Sequence, residues 1–309
     1  MTMTVISTSA PAPTCPGQVP RAQHWRPCLF TLTLLSAVVL GLGYAVANWE
    51  WPAGAAQGSH FQGSRTADAP LPRRLKIGTF NIHGGYGADG RLDLRRTAAV
   101  MRGMDFIGLN EVRGAGWRDP RSQVEQLGSV LNLNWLFAPT ETNWSGPHFG
   151  QGVLTRLPVS DWKRVPFQRV VGNGYRNYVE CQIPIGQTPI GKENGRYLTI
   201  LVTHLDRKTD RQDQLEVIIR RFLEVPPPVI LMGDLNSKRT EPRLVSLAGT
   251  AGVIDCFGRF ASGEIVRKRI DWMFVRGLQC VQANLEPTSS SDHPWGWAEL
   301  ELPDLAPVP

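Results

Sequence analysis

Cysteine is scarce in this 309-residue chain. The five are Cys15, Cys28, Cys181, Cys256 and Cys280, with no CxxC pair and no Cys/His spacing suited to zinc. Structural zinc is thereby excluded as an organising element. Two reaction signatures are also missing. Neither GxSxG nor GxxxxGK followed by Ser or Thr occurs, so acyl transfer through a nucleophile elbow and P-loop nucleotide hydrolysis lose their usual sequence support. Charge of one sign is limited too. The net charge is +6, and residues 1–74 hold five Arg against two acids, leaving +3 for the rest. A weakly basic domain can meet nucleic acid, but it lacks the charge stripe that would name that partner alone. There is no internal repeat.

One uncharged apolar stretch stands out, between Arg26 and Glu50. Residues 27–49, PCLFTLTLLSAVVLGLGYAVANW, number 23 and would reach about 35 Å as a helix, enough for a hydrocarbon core of about 30 Å. Arg21 and Arg26 before it place residues 1–26 in the cytoplasm and the bulk of the chain outside by the positive-inside rule. Ala45-Val46-Ala47 offers a small-x-small cleavage pattern, so a long signal peptide is the alternative to a membrane signal-anchor. The length of the stretch and the interfacial pair Trp49 and Trp51 favour the anchor. Residues 50–73, rich in Ala, Gly, Ser and Pro, read as a flexible linker. Residues 74–309 then form the folded domain, a size at which one large core is ordinary. If that domain is exported, Cys181, Cys256 and Cys280 allow at most one internal disulfide, and three buried free thiols are equally compatible with the sequence.

Within it, ten β-rich runs alternate with helical patterns, from LKIGTFNI to WGWAELEL. The clearest helix follows Thr209, where Thr209 and Gln212 have capping-box spacing and Leu215, Ile218, Ile219, Phe222 and Leu223 recur on one face. Further helices are expected over 94–101, 123–131 and 243–247. Several strands adjoin without a helix between them, which excludes a purely parallel doubly wound sheet and fits two packed sheets with outer helices.

Seven segments end apolar runs in polar groups. They centre on Asn81, Glu111, the stretch from His148 to Arg156, His204, the pair Asp234 and Asn236 in GDLN, Asp271 in RIDWMFV, and Asp292-His293 in SSDHPW. A single Asn or Asp after a strand is commonly a turn residue; seven at successive strand ends point to a site. Strand alternation points Asp234 and Asn236, two positions apart, to the same face. Carboxylate, carboxamide and imidazole without thiolate suit a hard cation, Mg²⁺ or else Mn²⁺ or Ca²⁺. Such a site suits attack of water on a phosphate ester.

The motifs TFNIHGG, LNEV, GQGVLTR, THLD, GDLNS, RIDWMFV and SDH, in that order, resemble the endonuclease/exonuclease/phosphatase superfamily over about residues 75–302. The resemblance implies an α/β fold, a four-layer sandwich of two mainly antiparallel sheets flanked by helices, here preceded by one N-terminal transmembrane helix. It also implies divalent-metal-dependent hydrolysis of phosphodiesters or phosphomonoesters. Carried onto this chain, it makes Glu111 the principal metal ligand, with Asn81 and Asp292 near the same ion. Asp271 would orient His293, Asp234 would position or deprotonate water, Asn236 would donate to the developing phosphorane oxygen, and His204 would contact phosphate or protonate the leaving oxygen. Deoxyribonuclease-like members have a glutamate supporting the THLD histidine, ahead of an arginine comparable to Arg176. That position falls near Gly174 here, without a carboxylate, and Glu180 lies too far along the strand to replace it.

The absence of an inositol-polyphosphate phosphatase box in RKRIDWMF disfavours that subfamily. The expected activity is a phosphodiesterase or endonuclease outside the cytoplasmic membrane. The alternatives are a sphingomyelinase-like lipid phosphodiesterase, a phosphomonoesterase, and a non-catalytic surface-binding module of the same fold. The expected partners are a phosphoester, in nucleic acid or a phospholipid head group, and the membrane itself. Trp117, Trp144 and Trp162 could touch lipid, stack on bases, or simply pack at the edge of the sandwich.

Overall fold

The computed structural model describes residues 29–47, 49–63, 71–116, 119–144, 146–168, 174–186 and 195–303. The chain divides into two units, Met1–Val46 and Ala47–Pro309. Of the first, only the helix α1 (Leu29–Ala47) is described, within the apolar stretch. Among the described residues no helix is long and apolar enough to cross a membrane; in α1 the described side chains are those of residues 31–46, and all are exposed.

The second unit starts earlier than expected. Strands β1 (Trp51–Pro52) and β2 (Ala56–Gly58) lie in the segment read as a flexible linker. They are followed by β3 (Arg74–Asn81), α2 (Leu94–Val100), β4 (Phe106–Arg113), α3 (Gln123–Leu131), β5 (Asn134–Asn143) and β6 (Gly146–Thr155). Next come β7 (Asp161–Pro166), β8 (Asn177–Pro184), β9 (Tyr197–His204), α4 (Arg211–Glu224), β10 (Val229–Asp234) and α5 (Pro242–Ala248). The chain ends with β11 (Val253–Asp255), α6 (Cys256–Phe260), α7 (Glu264–Lys268), β12 (Asp271–Arg276), β13 (Gln279–Glu286) and β14 (Trp295–Glu301).

These strands make two seven-stranded sheets, ordered β1-β5-β6-β4-β3-β14-β13 and β11-β12-β10-β9-β8-β7-β2. Each sheet is mixed: β3–β4 and β9–β10 are parallel, and the other pairings are antiparallel. The linker expectation therefore fails for residues 51–58. Trp51 pairs with Thr142 at the edge of one sheet and Gln57 with Lys163 at the edge of the other. Backbone groups at an open sheet edge are templates for a further strand, and here the polypeptide leading into the domain supplies it.

Alternation of side chains builds the layers. Ile77, Phe106 and Val153 of the first sheet meet Val179, Ile200, Val202, Met232 and Met273 of the second in the central core. The opposite faces are covered by helices. Val124, Leu127 and Ala98 pack on Ile107 and Leu109, while Leu215, Ile218 and Phe222 pack on Leu231 and Phe274. Strands buried on both faces read as continuous apolar runs, which is why VILM in β10 carries no visible alternation.

The helices at 94, 123 and 243 lie where their patterns place them. Asp93 accepts from the amides of Arg95 and Arg96, and Ser122 from that of Glu125, each satisfying free N–H groups of a first turn. The capping box at Thr209 does not form. Asp206 instead turns the loop by accepting from the amides of Lys208 and Asp210, so α4 begins at Arg211 with Asp210 at its N-cap.

Candidate active site

The C-terminal ends of two neighbouring parallel strands and the start of a third, antiparallel one set out the centre. Asp234 ends β10 and stands level with His204, which ends parallel strand β9, and with Asp271, which begins antiparallel strand β12. Gly233 permits this closeness: with φ at 134°, a Cβ there would run into the Thr203 carbonyl. From the other sheet, β3 ends at Asn81 beside Asn110 of β4. A bulge between Leu109 and Val112 interrupts the pairing of β4 with β6, and Glu111 within it has a φ of 57°. Such a left-handed glutamate is strained by about 1–2 kcal/mol. The bulge re-aims its carboxylate out of the ladder and toward the site.

The two sheets are clipped together beneath the site. Asn110 donates from Nδ2 to the Thr203 carbonyl at 3.1 Å and accepts from the Asp234 amide at 3.0 Å. Gln151 and Asn177 make a second bridge, with Gln151 donating to Asn177 and Asn177 to the Pro139 carbonyl. Neither role is visible in a motif, because backbone partners in another sheet leave no spacing signal.

Asn81 is the hub. Its Nδ2 donates to Glu111 Oε1 and to Asp234 Oδ2, both at 3.1 Å, while its Oδ1 accepts from the His83 amide. Asn81 therefore holds the two acids with its amino group rather than turning its carbonyl oxygen toward them. Asp234 is fully buried, with Oδ1 accepting from the Asn236 amide at 2.8 Å and Oδ2 3.5 Å from His204 Nε2. His293 Nδ1 lies 2.8 Å from Asp271 Oδ2, and its Nε2 lies 3.8 Å from Asp234 Oδ2. Ser291 fixes the approach to His293 by donating to the Asn81 carbonyl and accepting from the His293 amide.

These contacts separate the protonation states. Burial, then the charge of Asp271, pushes the Asp234 carboxyl up to about 7. Burial also raises Asp271, against the pull of His293. Burial alone would lower His293, but its hydrogen bond to Asp271 and the charges of Asp271, Asp234 and Asp292 raise it to about 9. His204 is driven well below the usual imidazole range by burial and by Arg176, His293 and Arg207. It is neutral at pH 7, and its Nε2 is buried without a hydrogen-bond partner.

Asn236 and Asp292 sit differently from the rest. Asn236, left-handed at φ 47°, lies beyond the end of β10 and donates from Nδ2 to the Leu205 carbonyl at 2.8 Å. The turn, not strand alternation, sets its direction. Asp292 is half exposed at the rim, 3.6 Å from His83 Nδ1. His148 stays outside the cluster, contacting Glu50 and Glu141, and Arg156 is paired with Asp105. Glu180 is engaged by Arg221 through two hydrogen bonds, so it does not stand in for a carboxylate beside His204. Trp162 donates to the His60 carbonyl and Trp144 is exposed, while Trp117 lies outside the described residues. Arg207 was not singled out by its motif, yet its guanidinium reaches to 3.7 Å from Glu111 Oε1.

Among the described residues, Glu50, Glu141 and His148 form one cluster of ligand-type atoms, away from the strand ends that carry Asp234, and two groups at those strand ends could take a cation. Asp234, Asp271 and His293 bring ligand-type atoms within 4.8 Å of one another, but His293 faces Asp271 through Nδ1 and its raised protonation keeps a proton on Nε2. Glu111, one oxygen of which meets only Asn81 and the loosely placed Arg207, is the better fit for a hard cation.

Residues 78–293 match the model of the Endonuclease/Exonuclease/phosphatase family. The chain belongs to that family. Solved structures agree at the level of fold. An endonuclease/exonuclease/phosphatase from Beutenbergia cavernae is 22% identical with a TM-score of 0.56, over 75% of this chain and 72% of that one. The mannosyl-6-phosphatase Bt3783 of Bacteroides thetaiotaomicron is 13% identical with a TM-score of 0.53, over 73% and 99%. Truncated Caenorhabditis elegans TDP2 is 19% identical with a TM-score of 0.53, over 74% and 97%. No curated protein matches the sequence. Endonuclease/Exonuclease/phosphatase family members are hydrolytic phosphoesterases, and the site described above is built from the acids, amides and imidazoles that such hydrolysis uses.

Proposed function

We propose that this Endonuclease/Exonuclease/phosphatase-family domain is a divalent-metal-dependent phosphodiesterase, acting as an endonuclease outside the cytoplasmic membrane. The observation that carries this reading is the level placement of His204, Asp234 and Asp271 on adjacent strands, with His293 clamped 2.8 Å from Asp271. Asp234 accepts a proton from water as the water oxygen forms its bond to phosphorus. The bond from phosphorus to the leaving oxygen breaks, and that oxygen takes a proton from His293, which Asp271 keeps protonated and oriented. His204, neutral, contributes a ring nitrogen to the phosphate, and Asn236 has one amide hydrogen beyond the one given to Leu205. Glu111 would hold the cation, with Asn81 fixing its carboxylate and Asp292 near the mouth. A bound Mg²⁺ or Mn²⁺ would offset charge on the phosphoryl oxygens.

The apolar stretch 27–49 with Arg21 and Arg26 before it supports anchoring in the membrane with the domain on the outer side. The test uses the full chain in detergent with bis-p-nitrophenyl phosphate, plasmid DNA, p-nitrophenyl phosphate and sphingomyelin, each with Mg²⁺ or a chelator. Cleavage of the diester and of DNA, lost with chelator and in Asp234→Asn, is the expected result. Hydrolysis of the monoester or of sphingomyelin alone would replace the nuclease reading, and activity unaffected by chelator would remove the metal.

A further inference from the structure

The three cysteines of the domain are buried free thiols, but they are not equivalent. Cys181 lies in β8, opposite Trp162 on one side and Ile200 on the other, within the sheet that carries Asp234. Cys256 opens α6, directly after β11 of that same sheet. Cys280 is the second residue of β13, at the edge of the other sheet. Cys256 and Cys280 share one hydrophobic cluster where α6 packs against β13, and the Cys280 side chain adds to burial in raising the Cys256 thiol. Cys280 Sγ also lies 3.8 Å from the Gln282 carbonyl. Two buried thiols on packed elements reach bonding geometry by turning about their side-chain torsions when their Cα atoms lie within about 7 Å.

We propose that Cys256 and Cys280 are a disulfide-forming pair whose oxidation ties the two sheets together and closes the segment that carries Asp271. The oxidant is a disulfide, either a small-molecule disulfide or a thiol–disulfide oxidoreductase. One cysteine thiolate attacks the oxidant's disulfide and the other resolves the mixed disulfide. The Cys256–Cys280 bond forms, and the two electrons and two protons lost by the cysteines leave with the oxidant as two thiols.

Burial favours the thiol over the thiolate at Cys256 and shields both sulfurs in the packed state. The bond therefore closes while α6 is undocked, during folding, and is protected afterwards. The enclosed segment contains Arg269, whose guanidinium pairs with Asp255 and lies 4.1 Å over the Trp272 ring, and then Asp271 itself. The crosslink would brace the strand start from which Asp271 holds His293.

The experiment uses the full chain with Cys15→Ser and Cys28→Ser, unfolded and refolded in detergent with oxidised and reduced glutathione. Free thiols are blocked before non-reducing digestion and mass spectrometry. The expected result is one Cys256–Cys280 linked peptide, about 2 Da lighter than the sum of its reduced parts, with Cys181 alkylated. A bridge that includes Cys181, or three alkylated thiols in the refolded protein, would overturn the proposal. A second reading uses stability. In Cys181→Ser, reduction should lower the melting temperature of the oxidised protein by roughly 5–10 °C, and in Cys280→Ser reduction should change nothing. Equal behaviour of the two variants would overturn it as well.

Discussion

Asp271→Asn isolates what the carboxylate beside His293 does. The carboxamide keeps the shape and an acceptor oxygen 2.8 Å from Nδ1 but removes the charge. His293 is raised from 6.5 to about 9, while burial acts to lower it. Asp271 supplies the two largest raising influences, so without its charge the ring should fall from about 9 toward 6.5, with Asp234 and Asp292 still opposing burial; the full drop of about 2.5 units is about 3 kcal/mol of lost preference for the imidazolium. If turnover needs protonated His293, a pKa of 6.5 leaves about 3% of the enzyme competent at pH 8, a loss of roughly 30-fold, and most of it competent at pH 6. The defect should thus be large in alkaline buffer and small in mildly acidic buffer. Ring-proton NMR titration of His293 and a pH–rate profile with a chromogenic diester measure both parts. A His293 titration still near pH 9 in the variant, or an equal loss of activity at pH 6 and pH 8, would refute the reasoning.

The same pair makes folding pH-dependent. His293 binds its proton more tightly in the folded state, so its contribution is fully present below pH 6.5 and disappears as pH rises through about 9. Urea midpoints should lose this contribution between those limits in the wild type and not in Asp271→Asn. Glu111→Gly relieves a left-handed backbone and should raise stability by about 1 kcal/mol while abolishing turnover; lower stability on urea unfolding would count against the strain. Asn110→Ala leaves the buried Thr203 carbonyl and Asp234 amide without partners and should cost roughly 2–4 kcal/mol. An unchanged unfolding midpoint would show that this clip between the sheets is dispensable. Asn81→Ala frees Glu111 and Asp234 together, and should raise the Mg²⁺ concentration needed for half-maximal rate; an unchanged requirement would separate Asn81 from the metal.

Much of this molecule is local, and the sequence states it. The β-rich runs, the amphipathic face from Leu215 to Leu223 and the polar ends of the apolar runs depend on neighbours within a few residues. Those regularities were enough to indicate two sheets with outer helices, and the motif order was enough to indicate the family. What depended on pairing between distant strands was not legible. Residues 51–58 read as a tether because their composition is loose; Trp51–Pro52 and Ala56–Gly58 are strands because two open sheet edges are there to receive them. Asp271 and His293 could be suspected as partners, but the neutral His204, the protonated His293 and the raised Asp234 follow from a shared burial that no spacing encodes. Asn81 turns its amino group to Glu111, 30 residues away, and to Asp234, 153 away, and Asn110 joins the sheets through Thr203, 93 away, because those groups meet them only in the folded chain. The sequence by itself supplied the chemical inventory and the order of the strands. Only the tertiary structure decided which groups touch, and hence which of them carry protons, because electrostatic coupling falls off with distance in space rather than along the chain.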